Sequence, residues 1–325
     1  MRRDRISPDS AALFPSTPGT AAVARDRRAG WLFLAAMLVF AASPACARGP
    51  RRIRVGSKNF SEQVLLGEVM AQALEARGVA VDRKLNLGGT FVCHGALLAG
   101  ELDLYPEYTG TAHTAILREK PDRDPARVRR KVSEEYRRRW GVVWAPPLGF
   151  ENTFALVVRE EDAKRLGLSR ISDLKAHPDL RPGFGYEFVE RADGYRGLAD
   201  AYGLSFQNRP AEMDLGLLYP ALQAKRVDVV AGNSTDGLIA AIHGVVLEDD
   251  RHYFPPYEAA FVVRGAIWNS RPEVASVLQA LAGRLDASRM RAWNAQLDRD
   301  KRRPEDVARE VVKSLALPAA SPGLR

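Results

Sequence analysis

Sulfur and histidine are scarce in this chain. Two cysteines, Cys46 and Cys93, stand among 325 residues, and the five histidines (His94, His113, His177, His243 and His252) are scattered. None of them has the spacing of a metal site. No G-x-S-x-G elbow and no H-E-x-x-H helix is present. These absences leave no catalytic set, no metal and no cofactor to assign, and they make an exported hydrolase a remote alternative. Long apolar runs are missing too. The longest, from about Trp31 to Ala42, falls short of the roughly 20 residues a membrane span needs. The formal charge of +8 invites a nucleic-acid reading. Much of it, however, sits in "RVRRKVSEEYRRRW" and "RDKRRPEDVARE", where acids are interleaved as on solvated helix faces. No zinc-finger spacing or RNA-binding aromatic signature accompanies it, so no nucleic-acid partner is expected.

What is present begins with a leader. "RDRRAGWLFLAAMLVFAASPACA" has Arg25, Arg27 and Arg28, then the apolar run, then Ala45-Cys46-Ala47 as an A-x-A cleavage pattern. This predicts an exported, periplasmic protein. Lipid anchoring at Cys46 is the lesser alternative, because Ser43-Pro44-Ala45 makes a poor lipobox. Without the leader one cysteine remains, so no intrachain disulfide forms, and Cys93 reads as a small buried hydrophobe. His94 and His113 read as structural.

The mature chain alternates. "RIRVGSK" predicts a strand, and "SEQVLLGEVMAQALEARG" a helix with Ser61 as N-cap and Gly78 as stop. "VAVDRKLNLGG" predicts a second strand, "HGALLAGE" a helix, and "LDLYPEY" a third strand ending at Tyr108. Strand, helix, strand, helix, strand is the pattern of a doubly wound parallel sheet. "NTFALVVR" and "AAFVVR" echo one another a hundred residues apart, and a second α/β run lies between them. They are expected to mark the places where the chain leaves one lobe and returns. The division expected is a leader over 1–47, one lobe built from 48–151 and 258–325, and a second from 152–257.

Two α/β lobes joined twice enclose a cleft, and ligands bind in such clefts beyond the carboxyl ends of parallel strands. The turns expected there are "GSKNF", "NLGGT", "YTGT", "ENTF", "FVERADG", "GNSTDG" and "FPPY". They supply the aromatics Phe60, Tyr105, Tyr108, Phe154 and Tyr257, with cations at Lys58 and Arg191. A trimethylammonium head donates no hydrogen bond, so aromatic faces are its natural site, at ~0.5–2 kcal/mol per contact. A carboxylate wants Arg, Lys or N–H donors. Together they fit a zwitterionic betaine.

"VGSKNFSEQVLLGEVMAQALE", "NLGGT", "GELDLYPEYTGTA", "NSTDGLI" and "FPPYEAAFVVR" resemble the substrate-binding proteins of ABC importers for quaternary ammonium compounds. The resemblance runs from about residue 52 to 315 and implies a type II periplasmic-binding-protein fold, a non-enzymatic role and delivery to a membrane permease. It implies that Tyr108 and Tyr257 are aromatic-box walls, Thr111 a hydroxyl contact, Lys58 a polar contact and Arg191 the holder of a betaine carboxylate. Two positions depart from the family pattern. Phe154 stands where a tyrosine is frequent, and Asn233 about where some members place another aromatic. The ligand expected is glycine betaine, choline or a related betaine; the open side at Asn233 keeps a bulkier betaine such as carnitine or ergothioneine as the alternative. A sensing role on the same fold is a further alternative, and a monomer is expected.

Overall fold

The computed structural model describes residues 52–316; the leader expected over 1–47, with Cys46, lies outside them. The described chain forms two five-stranded sheets. In the first, β1 (Ile53–Lys58) is followed by α1 (Ser61–Glu75), β2 (Val81–Gly88), α2 (Thr90–Ala99), β3 (Leu104–Tyr108), α3 (Pro125–Trp140) and β4 (Val142–Trp144). In the second, β5 (Phe154–Arg159) is followed by β6 (Pro182–Gly185), α4 (Tyr186–Glu190), β7 (Ala211–Met213), α5 (Leu215–Gln223), β8 (Val229–Asn233) and β9 (Gly244–Val246). The chain then returns as β10 (Ala259–Arg264) and closes with helices that include α6 (Ala287–Asp298) and α7 (Pro304–Ser314), the latter lying along α1.

The strand orders are β2-β1-β3-β10-β4 and β7-β6-β8-β5-β9. They are the same order written twice. β1 runs parallel to both neighbours and β6 to both of its own, and in each sheet the fourth strand is antiparallel. That fourth strand is always the one that has just arrived from the other lobe. The echo between "FALVVR" and "AAFVVR" is therefore topological: both strands are buried on both faces, and such strands read as continuous apolar runs. The crossings themselves are the short segments entering them, paired antiparallel at Glu151 and Glu258.

Each sheet has apolar side chains packed on both faces. Ile53, Val55, Leu66, Met70 and Phe261 belong to the core on one face of the first sheet, and Cys93, Tyr105, Tyr136 and Val262 to that on the other. Leu156, Phe184 and Phe188 form one core of the second lobe, and Val157, Leu218 and Leu222 the other. Cys93 is buried, its thiol pushed up to about 12 by burial. Helix α3 buries Val128, Val132 and Tyr136 at four-residue spacing, and Asp124 caps it by accepting from the Ala126 and Arg127 amides.

One local expectation is corrected. Ser61 is not the N-cap of α1; Phe60 holds that extended position, and the Ser61 hydroxyl bonds to Asp298 of α6 instead. A hydroxyl at the first helical residue is turned off the helix end, which frees it for a tertiary partner.

Candidate ligand-binding site

Tyr108 ends β3, Lys58 ends β1 and Asn233 ends β8, so three carboxyl termini of parallel strands point into the space between the sheets. Phe154 opens the antiparallel β5 directly opposite Asn233 in the ladder. Arg191 follows α4, and Tyr257 lies in the returning crossing. A cavity of about 380 Å³ is lined by Lys58, Tyr108, Thr111, Phe154, Arg191, Asn233 and Tyr257 together. These seven, among the residues singled out in the sequence, meet on its wall.

The aromatic faces are held at fixed angles. Phe60 stacks near Tyr108 at 6.4 Å between centroids, and Phe154 meets Tyr257 edge-on at 5.9 Å and Phe188 at 4.8 Å. Tyr105 is elsewhere. It is fully buried in the core on the opposite face of the sheet. Residues three apart on a strand must face opposite ways, so Tyr105 and Tyr108 could not share a pocket. Gly110, just past Tyr108, is required by close approach: a Cβ there would meet the Pro256 carbonyl and the Tyr257 ring at 2.7 Å.

Both cations are buried and both are already clamped. Lys58 Nζ donates to Glu107 Oε1 at 2.5 Å and stands 5.3 Å from the Tyr108 ring centre. Glu107 also accepts from the Tyr105 hydroxyl at 3.1 Å and the Tyr108 amide at 2.7 Å. Arg191 donates from Nε and Nη2 to the two oxygens of Asp193 at 2.9 and 2.6 Å, and lies over the Phe154 ring at 4.9 Å. Burial pulls its guanidinium down, but the charge and hydrogen bonds of Asp193 outweigh this and hold it above its ordinary range. Nη2 also reaches Thr111 Oγ1 at 3.3 Å, and the Tyr257 hydroxyl donates to Asp193 Oδ2 at 2.6 Å. Nη1 faces Glu187 Oε2 at 3.8 Å, beyond hydrogen-bond range.

Behind the Tyr108 wall sits a carboxylate that sequence reasoning missed. Glu62, buried in the first turn of α1, accepts from the Tyr108 hydroxyl at 2.6 Å, Asn152 Nδ2 at 2.9 Å, Thr235 Oγ1 at 2.6 Å and Asn294 Nδ2 at 3.0 Å. These donors come from β3, from one crossing, from the turn after β8 and from α6. Burial still raises its carboxyl above the ordinary range despite the four bonds. Asn233 is held in a similar way, its amide donating to Asp236 Oδ2 at 2.8 Å while the Tyr219 hydroxyl donates to the same oxygen at 2.7 Å. Desolvation pushes the Asp236 carboxyl up to about 6. The Tyr108 and Tyr257 phenols are pushed well above their usual range by burial and remain donors.

The cavity wall also includes Phe60, Asn152, Tyr186, Glu187, Phe188, Met213 and Leu215. Phe60 and Asn152 stood inside the turns "GSKNF" and "ENTF". Glu187 and Phe188 belong to α4, a five-residue helix within the second α/β run.

Two lobes of one strand order, joined by two paired crossings around a cavity lined from both, define a binding protein of the type II periplasmic class. Residues 51–314 match the family described as the substrate binding domain of ABC-type glycine betaine transport systems, and the chain belongs to that family. Its members are solute-binding proteins of ABC transporters, not enzymes. A glycine-betaine-binding protein of Pseudomonas aeruginosa is 35% identical over 295 residues, spanning 87% of this chain and 93% of that one. The ergothioneine transport permease/ergothioneine binding protein EgtU of Helicobacter pylori is 32% identical over 269 residues, covering 81% of this chain but 47% of its own length. Among solved structures, that of a glycine betaine/carnitine/choline ABC transporter protein superposes with a TM-score of 0.67 at 31% identity, over 81% of this chain and 98% of the other.

Proposed function

We propose that this chain captures a quaternary ammonium compound between its lobes and hands it to a membrane permease. The methyl-bearing head is taken against Tyr108, Phe154, Tyr257 and Phe60, and a carboxylate, where the ligand has one, against Arg191 Nη1, Lys58 and Thr111. Asn233 leaves one side of the aromatic enclosure open. The observation that carries the reading is the convergence of all seven residues on one 380 Å³ cavity, a size within the range of small-molecule sites. Four aromatic faces set beside two buried, already neutralised cations suit a methylated cation that carries no hydrogen-bond donor. The lobes divide near residues 151 and 258, and closure about the crossings presents the bound state to the permease. The protein acts as a periplasmic monomer after loss of its leader.

A second reading is favoured by the wall beyond the aromatic faces. Met213, Leu215, Tyr186, Phe91 and Val92 also line the cavity and lengthen its apolar wall. That extension suits a betaine with a longer body, such as carnitine or ergothioneine. Calorimetry of the mature protein with choline, glycine betaine, carnitine and ergothioneine decides between the two. One site per chain is expected, with no turnover of the ligand. Silence across the panel at millimolar ligand would overturn the proposal.

A further inference from the structure

Helix α2 of the first lobe begins without a cap of its own. Its N-cap residue is Gly89, and no side chain from its own segment bonds to the free amides of the first turn. The cap comes from the other lobe. Glu187 of α4 accepts from the Thr90 amide through Oε1 and from the Thr90 hydroxyl through Oε2 at 3.0 Å. Thr90 is fully buried beneath this contact. Four orphan amides and the positive end of the helix dipole make the first turn of a helix a natural seat for a carboxylate. Gly89 makes the approach possible. A Cβ at that position would collide with Glu187 Oε1, whereas its φ of −75° and ψ of −171° suit any residue. A side chain at position 89 would therefore push the Glu187 carboxylate off Thr90, and nothing in the local backbone calls for glycine.

We propose that Glu187 is an interlobe latch, a positioning residue that holds the cleft shut by capping α2 in trans. This rests on the reading of the molecule as a two-lobed binding protein and goes beyond it: Glu187 lines the cavity and faces Arg191, but the latch acts through its contact with Thr90 of the other lobe. Opening the lobes strips α2 of its cap and returns a carboxylate to water, so the latch sets the open–closed balance and with it the dwell time of the ligand.

The test uses the mature protein with one spin label on each lobe, at Arg138→Cys and Lys164→Cys, whose side chains are 66% and 74% exposed. Cys93 is buried and does not compete for the label. Pulsed distance measurements on ligand-free protein are expected to show a closed population in the parent. Glu187→Ala and Gly89→Ala should each deplete it, and Glu187→Gln should fall between. For whichever panel ligand binds, dissociation should speed by about tenfold in either Ala variant, the scale of one charge-assisted bond. The double variant should be no worse than the singles, because both remove one contact. Unchanged distances in both Ala variants, or additive effects in the double variant, would overturn the latch. Melting curves on the same samples separate either outcome from loss of fold. The distance arm needs no ligand, so silence in the titration panel would count against the proposed function while the latch was still decided.

Discussion

Lys58 and Arg191 occupy matching places in the two lobes. One ends β1 and the other follows β6, the two strands that take the same slot in the shared order. Each is a buried cation clamped by a carboxylate and set over an aromatic ring. Their surroundings differ in one respect. The partner of Lys58 is Glu107 on the adjacent strand, and every further bond to that carboxylate comes from the same lobe. Arg191 and Asp193 are instead bonded by Thr111 and by Tyr257 of the crossing. The first cation is held by residues of one lobe and the second by residues of both lobes and a crossing. A neutralised cation can still orient a ligand carboxylate, but only through the donors its own partner leaves spare.

The sharpest way to break this comparison is to remove each partner. Glu107→Ala leaves Lys58 buried and unpaired, and should cost about 3–5 kcal/mol of stability. Asp193→Ala should destabilise as well, but a saturating carboxylate-bearing ligand should restore part of the loss, since Arg191 faces the cavity. Melting temperatures with and without ligand measure both; equal rescue of the two variants would erase the distinction drawn here.

Next in size is Arg191→Ala. It should weaken a carboxylate-bearing betaine by ~1.5–3 kcal/mol, the scale of hydrogen bonds to charged groups, and weaken choline little. Calorimetry with glycine betaine and choline on the same variant reads the difference.

Tyr108→Ala should lower affinity about tenfold or more by removing a cation–π face of ~1–2 kcal/mol. Tyr108→Phe keeps that face, so binding should fall much less. It also strips a donor from Glu62, and a stability loss of about 1–3 kcal/mol is expected from the unsatisfied carboxylate. Tyr105→Phe, on the opposite face of the strand, should leave affinity unchanged. A loss of affinity there would show that the Tyr105–Glu107 bond reaches the cavity through Lys58.

The smallest readout is a slope. Asp236, which supports Asn233, has its carboxyl raised from 3.8 to about 6 by desolvation. Between those values the folded chain binds the proton more tightly than the unfolded one. Its contribution to stability is therefore full below pH 3.8 and lost as pH rises through about 6. Asp236→Asn should flatten that part of the melting-temperature profile, and an unaltered slope would refute the assignment.

Much of this was legible in the sequence because ligand sites sit at the ends of strands, and strand ends are marked by turn residues. Lys58 and Tyr108 were found that way, and Asn233 through the family resemblance. Tyr105 was offered alongside them, although counting by two along "LYPEY" already sends it to the other face. Glu62 escaped because an acid in a first helical turn has an ordinary explanation, and its four partners lie between 46 and 232 residues away along the chain. Glu187 escaped because α4 is too short to show a period. The three-residue strands β4, β7 and β9 are likewise too brief to alternate visibly.

The repeated strand order has a consequence for how the chain folds. The second sheet is complete within Phe154–Val246, so its strands can pair as soon as that stretch is available. The first sheet lacks its fourth strand until β10, whose partners on β3 lie about 150 residues upstream. Closing so long a loop carries an entropic cost that local pairings avoid, and it slows assembly. The lobe that begins the mature chain is thus the last to be finished, and until β10 arrives β3 and β4 present unpaired edges that a chaperone or a second chain could occupy.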